Sequence, residues 1–273
     1  MVKRFLFFIA LALHAETPFA GVTYSSHPDR AAHVIVIDLA QPGLRFRVTP
    51  PSGSRETVRQ TTLDYLREQR AQIAINAHFF EPFPSEDREA FLIGSAASDG
   101  KAYSDFETPR QSYAIVANAP VLNIDATNHA EIVHHGEDAR LFNAIAGSAQ
   151  IVTAGVKTIP VYGDTGLTPG GPNNYSNADS WYERRAARTI AGLTRDRTKL
   201  VLLVIDRATV AEAADFLIAN YAVWDALNLD GGGSTTMAIE DRITHDFRVL
   251  NAAEGRAVGS NLAVFAPANV KLN

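Results

Sequence analysis

Apolar positions along the chain fall into many short runs and two longer periodic ones. Residues 33–39 (HVIVIDL) are dense in β-branched side chains and read as a strand. A Gln41-Pro42-Gly43 turn follows, and residues 44–49 (LRFRVT) alternate like a half-exposed partner of that strand. Residues 57–69 have helical spacing, with Val58, Leu63 and Leu66 on one side. Ile73, Ala74 and Ile75 then form a buried strand that runs straight into Asn76, His78 and two phenylalanines. Residues 113–117, 121–124 and 132–133 read as further short strands, and 144–152 as a Gly-Ser turn feeding another. The run 199–206 (KLVLLVID) is apolar throughout, the mark of a strand buried on both faces. Residues 209–219 return to helical spacing, with Val210, Ala213, Ala214 and Leu217 on the core side. Thr209 caps that helix and Glu212 stands three positions on, so its carboxylate has a capping-box reading as well as a catalytic one. With the apolar stretch 226–229, residues 199–229 make a strand–helix–strand crossover. Residues 237–240 and 262–265 supply closing strands. Many short strands and two convincing helices predict an α+β fold, a single domain over residues 21–273 with a mixed, curved sheet and a few packed helices.

The first residues break this pattern. Lys3 and Arg4 precede a short apolar run at 5–13, too short to span a bilayer, and small residues follow with Ala15 and Ala20 as cleavage points. Residues 1–20 therefore read as a signal peptide, and the protein is expected to be exported, either periplasmic or secreted, with no stable membrane span. The chain has no cysteine, so such an exported protein would depend on its core and not on disulfides. Its 30 acidic residues outnumber its 25 basic ones, which argues against nucleic acid as a partner. His129, His134 and His135 match no metal-ligand spacing, and no metal is assigned; a divalent cation is left open. Residues 163–180, rich in Gly, Pro, Asn and Ser, are read as a loop and as a candidate lid.

The densest chemistry lies at residues 226–237 (ALNLDGGGSTTM). An apolar strand stops at Asp230 and is followed by Gly231, Gly232, Gly233, Ser234 and Thr235. Three glycines let a ligand approach the backbone and leave N–H groups free to converge on an anion. Asp230 sits where strand becomes loop, a favoured place for a catalytic group. Asn76, at the end of its own strand, has both donor and acceptor for a sugar hydroxyl or a water. His78 is either a base or a packing residue, and its aromatic neighbours favour packing. In Glu183-Arg184-Arg185-Ala186-Ala187-Arg188-Thr189, a strand beginning near Arg188 puts Arg188 and Ile190 on one face and Thr189 on the other. The sheet would thus place Arg188, while Arg184 and Arg185 read as surface charge.

Four segments, AINAHFF (74–80), ARTIAGLTRD (187–196), LVLLVIDR (200–207) and ALNLDGGGSTTM (226–237), together resemble the phosphodiester glycosidases. GRAVGSNLAVF (255–265) is similar to that family's closing strand. The resemblance implies hydrolysis of a sugar-1-phosphodiester, of the N-acetylglucosamine-1-phosphodiester type, at the glycosidic bond. It implies a pocket with Asp230, Arg188, Glu212 and Asn76 in catalytic roles. Asp206, Gly231, Gly232, Gly233, Ser234, Thr235, Arg256 and Asn261 would hold the substrate. His78 stands where the family commonly has Gly and joins the substrate-binding candidates as a specificity change; Asp206-Arg207-Ala208 replaces the family's Asp-Gly and short loop. The expected partner is a small molecule or polysaccharide carrying a sugar-1-phosphate. A phosphate monoester, with a second pKa near ~6, leaves readily, so a carboxylate at the sugar carbon and positive charge at the phosphate are the main needs. Asp230 is expected to face the sugar carbon. The alternatives are a non-catalytic exported module that binds anionic polysaccharide and an envelope polysaccharide transferase.

Overall fold

The computed structural model describes residues 14–106, 118–159, 182–252 and 255–269. The expected strand 113–117 and the candidate lid 163–180 lie outside the described residues. Among the described residues there are two α-helices, α1 (Thr62–Gln69) and α2 (Val210–Tyr221), and the rest is strand and loop. The chain is thus mostly β, with fewer helices than an α+β label implies.

The run that reads as buried on both faces becomes the strand Lys199–Ala208. Leu200, Leu202 and Val204 face one core, while Val201, Leu203 and Ile205 face another. It lies inside an eight-stranded sheet ordered His14–Phe19, Val22–His27, Ala32–Asp38, Lys199–Ala208, Ala186–Thr194, Val223–Asn228, Ala149–Thr153, Val156–Lys157. α2 carries the chain from Lys199–Ala208 to Val223–Asn228, as the crossover pattern requires. Ala186–Thr194 sits between those two strands and pairs antiparallel with both. The cause is local: the tight turn at 194–198 folds 186–208 into a hairpin, so the crossing chain must dock beyond it. Every strand pair among the described residues is antiparallel, which differs from the mixed sheet expected.

A second sheet orders Phe247–Val249, Met237–Glu240, Ile73–Asn76, Asn261–Phe265 and Arg45–Val48. The last of these was expected beside Ala32–Asp38 but pairs with the closing strand instead. Alternation fixes which side chains of a strand face inward and does not specify its partner. Ile35, Ile37, Leu202 and Leu227 of the first sheet meet Ile73, Ile75, Leu262 and Val264 of the second in the main core. Val121–Ile124 and Asn143–Ala146, from a third sheet, close it with Leu122 and Ile145. α2 covers the outer face of the first sheet through Val210 and Leu217, and α1 covers the second through Tyr65 and Leu66. Both helices keep the caps written in their sequence, Thr61 to Asp64 and the reciprocal Thr209–Glu212 box.

His14–Phe19 forms the edge strand of the large sheet, paired with Val22–His27, and Phe19 is in the core. Removal of the chain through Ala20 would strip that strand, whereas removal through Ala15 would leave most of it.

Candidate active site

The two large sheets come together where Ile73–Asn76 ends, and one side chain joins them. Asn76 is fully buried. Its Oδ1 accepts from Thr189 Oγ1 at 2.8 Å and from the Thr236 N–H at 2.9 Å, while its Nδ2 donates to the Asp230 carbonyl at 2.7 Å. The Asp230 N–H donates to the Ala77 carbonyl at 2.9 Å, and the Leu229 N–H to Thr189 O at 2.9 Å. Asp230 is therefore held by its backbone on both sides, as a positioned catalytic group must be. Asn76, expected as a sugar-binding or catalytic group, is spent on fixing Asp230. Three of its four hydrogen bonds are spent inside the protein, and none of its surface reaches solvent.

The chain then enters the glycines, and each of the first two is required for its own reason. A Cβ on Gly231 would lie 2.9 Å from the Ala187 carbonyl, so the loop packs directly on the backbone leading to Arg188. Gly232 has φ +60 with open space before it. Gly232–Ser234 forms a single 3₁₀ turn, closed by the Ser234 N–H to Gly231 O and the Thr235 N–H to Gly232 O. Of the anion cradle expected from residues 231–235, the Ser234 and Thr235 N–H groups are thus used by the turn. The first N–H groups of such a turn have no partner within it. Thr235 is buried and its carbonyl is clamped by Asn251 Nδ2 at 2.9 Å; the Thr235 Oγ1 has no protein partner. Sequence reasoning missed Asn251, which also takes the Met237 N–H at 3.0 Å and so anchors the loop's exit.

Three groups then line up. Arg256 donates through Nε (2.8 Å) and Nη2 (2.7 Å) to Ser234 Oγ, a fork that uses the hydroxyl as acceptor. Ser234 also lies near the Asp230 carboxyl and favours its ionised form. Asp230 is 6% exposed, and burial pushes its pKa up to about 7, against the opposing pull of Ser234, the Arg256 charge and the Gly231 N–H. Arg256 is half-buried and its guanidinium lies 4.2 Å above the Phe83 ring, an aromatic wall that sequence reasoning also missed. The result is a carboxyl poised near neutrality, linked through one hydroxyl to a partly open cation.

A family model for phosphodiester glycosidases matches residues 69–265, which contain Asn76, Arg188, Asp230 and Arg256. The chain belongs to the phosphodiester glycosidase family. Among solved structures, the fold is similar to the catalytic domain of zebrafish N-acetylglucosamine-1-phosphodiester alpha-N-acetylglucosaminidase, auto-inhibited there by its pro-peptide, with TM-score 0.62 and 17% identity. That match covers 93% of this chain and 81% of the zebrafish one. A hypothetical protein from Synechocystis has TM-score 0.62 at 13% identity over 94% of this chain, which spans 64% of the Synechocystis chain. A Burkholderia pseudomallei protein described as exported has TM-score 0.57 at 14% identity, over 91% of this chain and 76% of that one. These likenesses show the fold. No curated protein matches by sequence.

The remaining candidates from the sequence divide into those that support the family's loop and those that stand apart from it. Arg188 is buried on the α2 face of its strand with Ile190, opposite Thr189, as the alternation requires. Its Nε donates to the Ala208 carbonyl at 3.0 Å and its Nη2 to that of Arg184. Burial lowers its pKa to about 10, against the influence of Tyr182, which raises it. Glu212, expected in a catalytic role, makes the capping-box contacts instead: Oε2 accepts the Thr209 N–H at 2.9 Å, and Oε1 pairs with Arg185. Asp206 accepts the Ala252 N–H at 3.3 Å and tethers the segment after Val249. Asn261 lies beside Asn76 across the strand pair, and its Oδ1 accepts from Thr62 Oγ1 at 2.7 Å. Its Nδ2 is buried without a protein partner.

His78, expected among the substrate contacts, makes structural contacts. It is fully buried. The Ala146 N–H donates to Nε2 at 2.9 Å, so Nε2 is an acceptor and Nδ1 carries the proton, donated to Ser260 Oγ at 2.6 Å. Protonation of Nε2 would exchange the Ala146 bond for one to Ser95 O, 3.2 Å away, and burial lowers the pKa to about 4. Ser260 had no assigned role in the sequence reading.

Proposed function

We propose that this phosphodiester glycosidase hydrolyses a sugar-1-phosphodiester at the glycosidic C–O bond, releasing free sugar and a phosphomonoester. The observation that carries this reading is the buried Asp230 carboxyl, raised to about 7 and coupled through Ser234 to Arg256. A carboxyl with a pKa near the working pH suits proton transfer or attack at the sugar carbon. In its ionised form Asp230 activates water or shields an oxocarbenium-like centre. Arg256 and the leading N–H groups of the glycine turn supply positive potential to the departing phosphate, which needs no strong acid of its own. The similarity to the zebrafish enzyme supports N-acetylglucosamine as the first sugar to try. The basic and apolar start of the chain supports action outside the cytoplasm; no helix among the described residues is long and apolar enough to cross a membrane.

The test is incubation of the purified protein with a panel of sugar-1-phosphodiesters, beginning with N-acetylglucosamine-1-phosphate esters. Free sugar and phosphomonoester are expected in equal amounts. Binding without turnover across the panel would replace the enzyme by a polysaccharide-binding module. Transfer of the sugar to an added hydroxyl acceptor in preference to water would make it a transferase.

A further inference from the structure

One end of the eight-stranded sheet carries a second concentration of charge. Val223–Asn228, Ala186–Thr194, Lys199–Ala208 and Ala32–Asp38 are successive neighbours and alternate in direction. The carboxyl ends of the first and third therefore lie beside the amino ends of the second and fourth. The residues at those ends are Asp230, Arg185, Arg207 and Arg30, in that order across the sheet. With neighbouring strands about 4.8 Å apart, the row runs roughly 14 Å from the Asp230 strand to Arg30. Gly231 packs on the Ala187 carbonyl, two residues along the chain from Arg185, so the row begins beside the glycine loop.

The three arginines line a cleft of about 390 Å³ whose apolar wall includes Phe216 and Ile205. Arg185 is matched by Glu212. Arg30 has only Asp29, at 3.8 Å, and both side chains are some 60% exposed. Arg207 is exposed and makes no side-chain hydrogen bond or ion pair among the described residues. Three guanidinium groups against two carboxylates give net positive charge on a chain whose total is −5. An unpartnered guanidinium beside an aromatic wall suits a sugar ring that bears a phosphate.

We propose that this cleft is a subsite for a second phosphodiester of the same substrate chain, so that the enzyme acts on an oligomer or polymer of repeating sugar-phosphodiester units. Arg207 and Arg30 hold the neighbouring phosphate, and the sugar between lies along Phe216. This inference rests on the reading of Asp230 as the hydrolytic centre for the first phosphodiester.

Two substrates separate it from that reading: a single sugar-1-phosphodiester and a linear oligomer of three or four such units. The double variant Arg30→Gln/Arg207→Gln changes only exposed side chains and leaves the Arg185–Glu212 pair in place. It is expected to raise KM for the oligomer about tenfold and to leave kcat/KM for the single unit within about twofold. An equal change on both substrates, or none on either, would overturn the subsite. Calorimetric binding of the oligomer to the intact protein and to the double variant is measured alongside. If neither substrate is cleaved but the oligomer binds in an arginine-dependent way, the hydrolase reading fails and the cleft stands. Inorganic phosphate is the control: if it competes as tightly as the oligomer, the cleft is a general phosphate site and the polymer inference fails.

Discussion

Asp230 and His78 are two titratable side chains buried beside the same strand end, and they are used in opposite ways. Burial disfavours the charged form of each: it raises the Asp230 pKa from 3.8 to about 7 and lowers that of His78 from 6.5 to about 4. His78 is satisfied in its neutral form, with one ring nitrogen donating to Ser260 and the other accepting from Ala146. Nothing is gained by charging it. Asp230 instead faces a serine hydroxyl, a backbone N–H and an arginine, all of which favour the ion that burial penalises. Saturated neutral bonding makes a structural residue. Burial that outweighs the groups favouring the ion makes one that changes state near neutral pH.

The comparison breaks first at Asp230. Asp230→Asn is expected to cut turnover of the preferred sugar-1-phosphodiester by about 10³-fold or more, measured as free sugar released. Unchanged turnover would remove Asp230 from the chemistry. Next comes Ser234→Ala, which deletes the hydroxyl between Arg256 and Asp230. Loss of a hydrogen bond to a charged group costs about 1.5–3 kcal/mol, so a fall in rate of roughly ten- to a hundredfold is expected. Because Ser234 lowers the Asp230 pKa, the limb of the pH–rate profile near pH 7 should move to higher pH in this variant. A limb that stays in place would mean that Ser234 only supports the loop.

The smallest effect is on stability, and it has opposite signs at the two residues. Between about pH 4 and 7 Asp230 binds more protons folded than unfolded, so its contribution to stability falls as pH rises. Between about pH 4 and 6.5 His78 binds fewer protons folded than unfolded, so its contribution rises with pH and is complete above 6.5. The two slopes oppose each other in the intact protein. His78→Leu is expected to lower stability at pH 7 by about 1–3 kcal/mol for each group left unpaired, and to leave a stability that declines from pH 4 to 7. Asp230→Asn should show the reverse slope. Urea melts of both variants across that range check the signs; parallel curves would show that burial does not set these two pKa values.

Much of this molecule was legible in its sequence, for reasons that are local. The strand Lys199–Ala208 follows from an unbroken apolar run, the capping box of α2 from Thr209 and Glu212, and the loop after Asp230 from three consecutive glycines. The alternation that put Arg188 opposite Thr189 also held. Partners across space were not legible. Arg45–Val48 carried the right inward face and joined the other sheet, since period-two alternation does not encode a neighbour. Asn76 and Glu212 had side chains suited to chemistry, and only the contacts supplied by Thr189, Thr236 and Arg185 showed those groups already occupied.

Asp230 was marked by the sequence as a carboxylate where a strand meets glycines, and local chain chemistry determines that much. Its pKa and the arginine bound to Ser234 depend on residues 256 and 76, far away in the chain. Burial and electrostatics are properties of the packed molecule. The sequence therefore determined which residue carries the acid, and the tertiary structure alone decided that this acid titrates near neutrality.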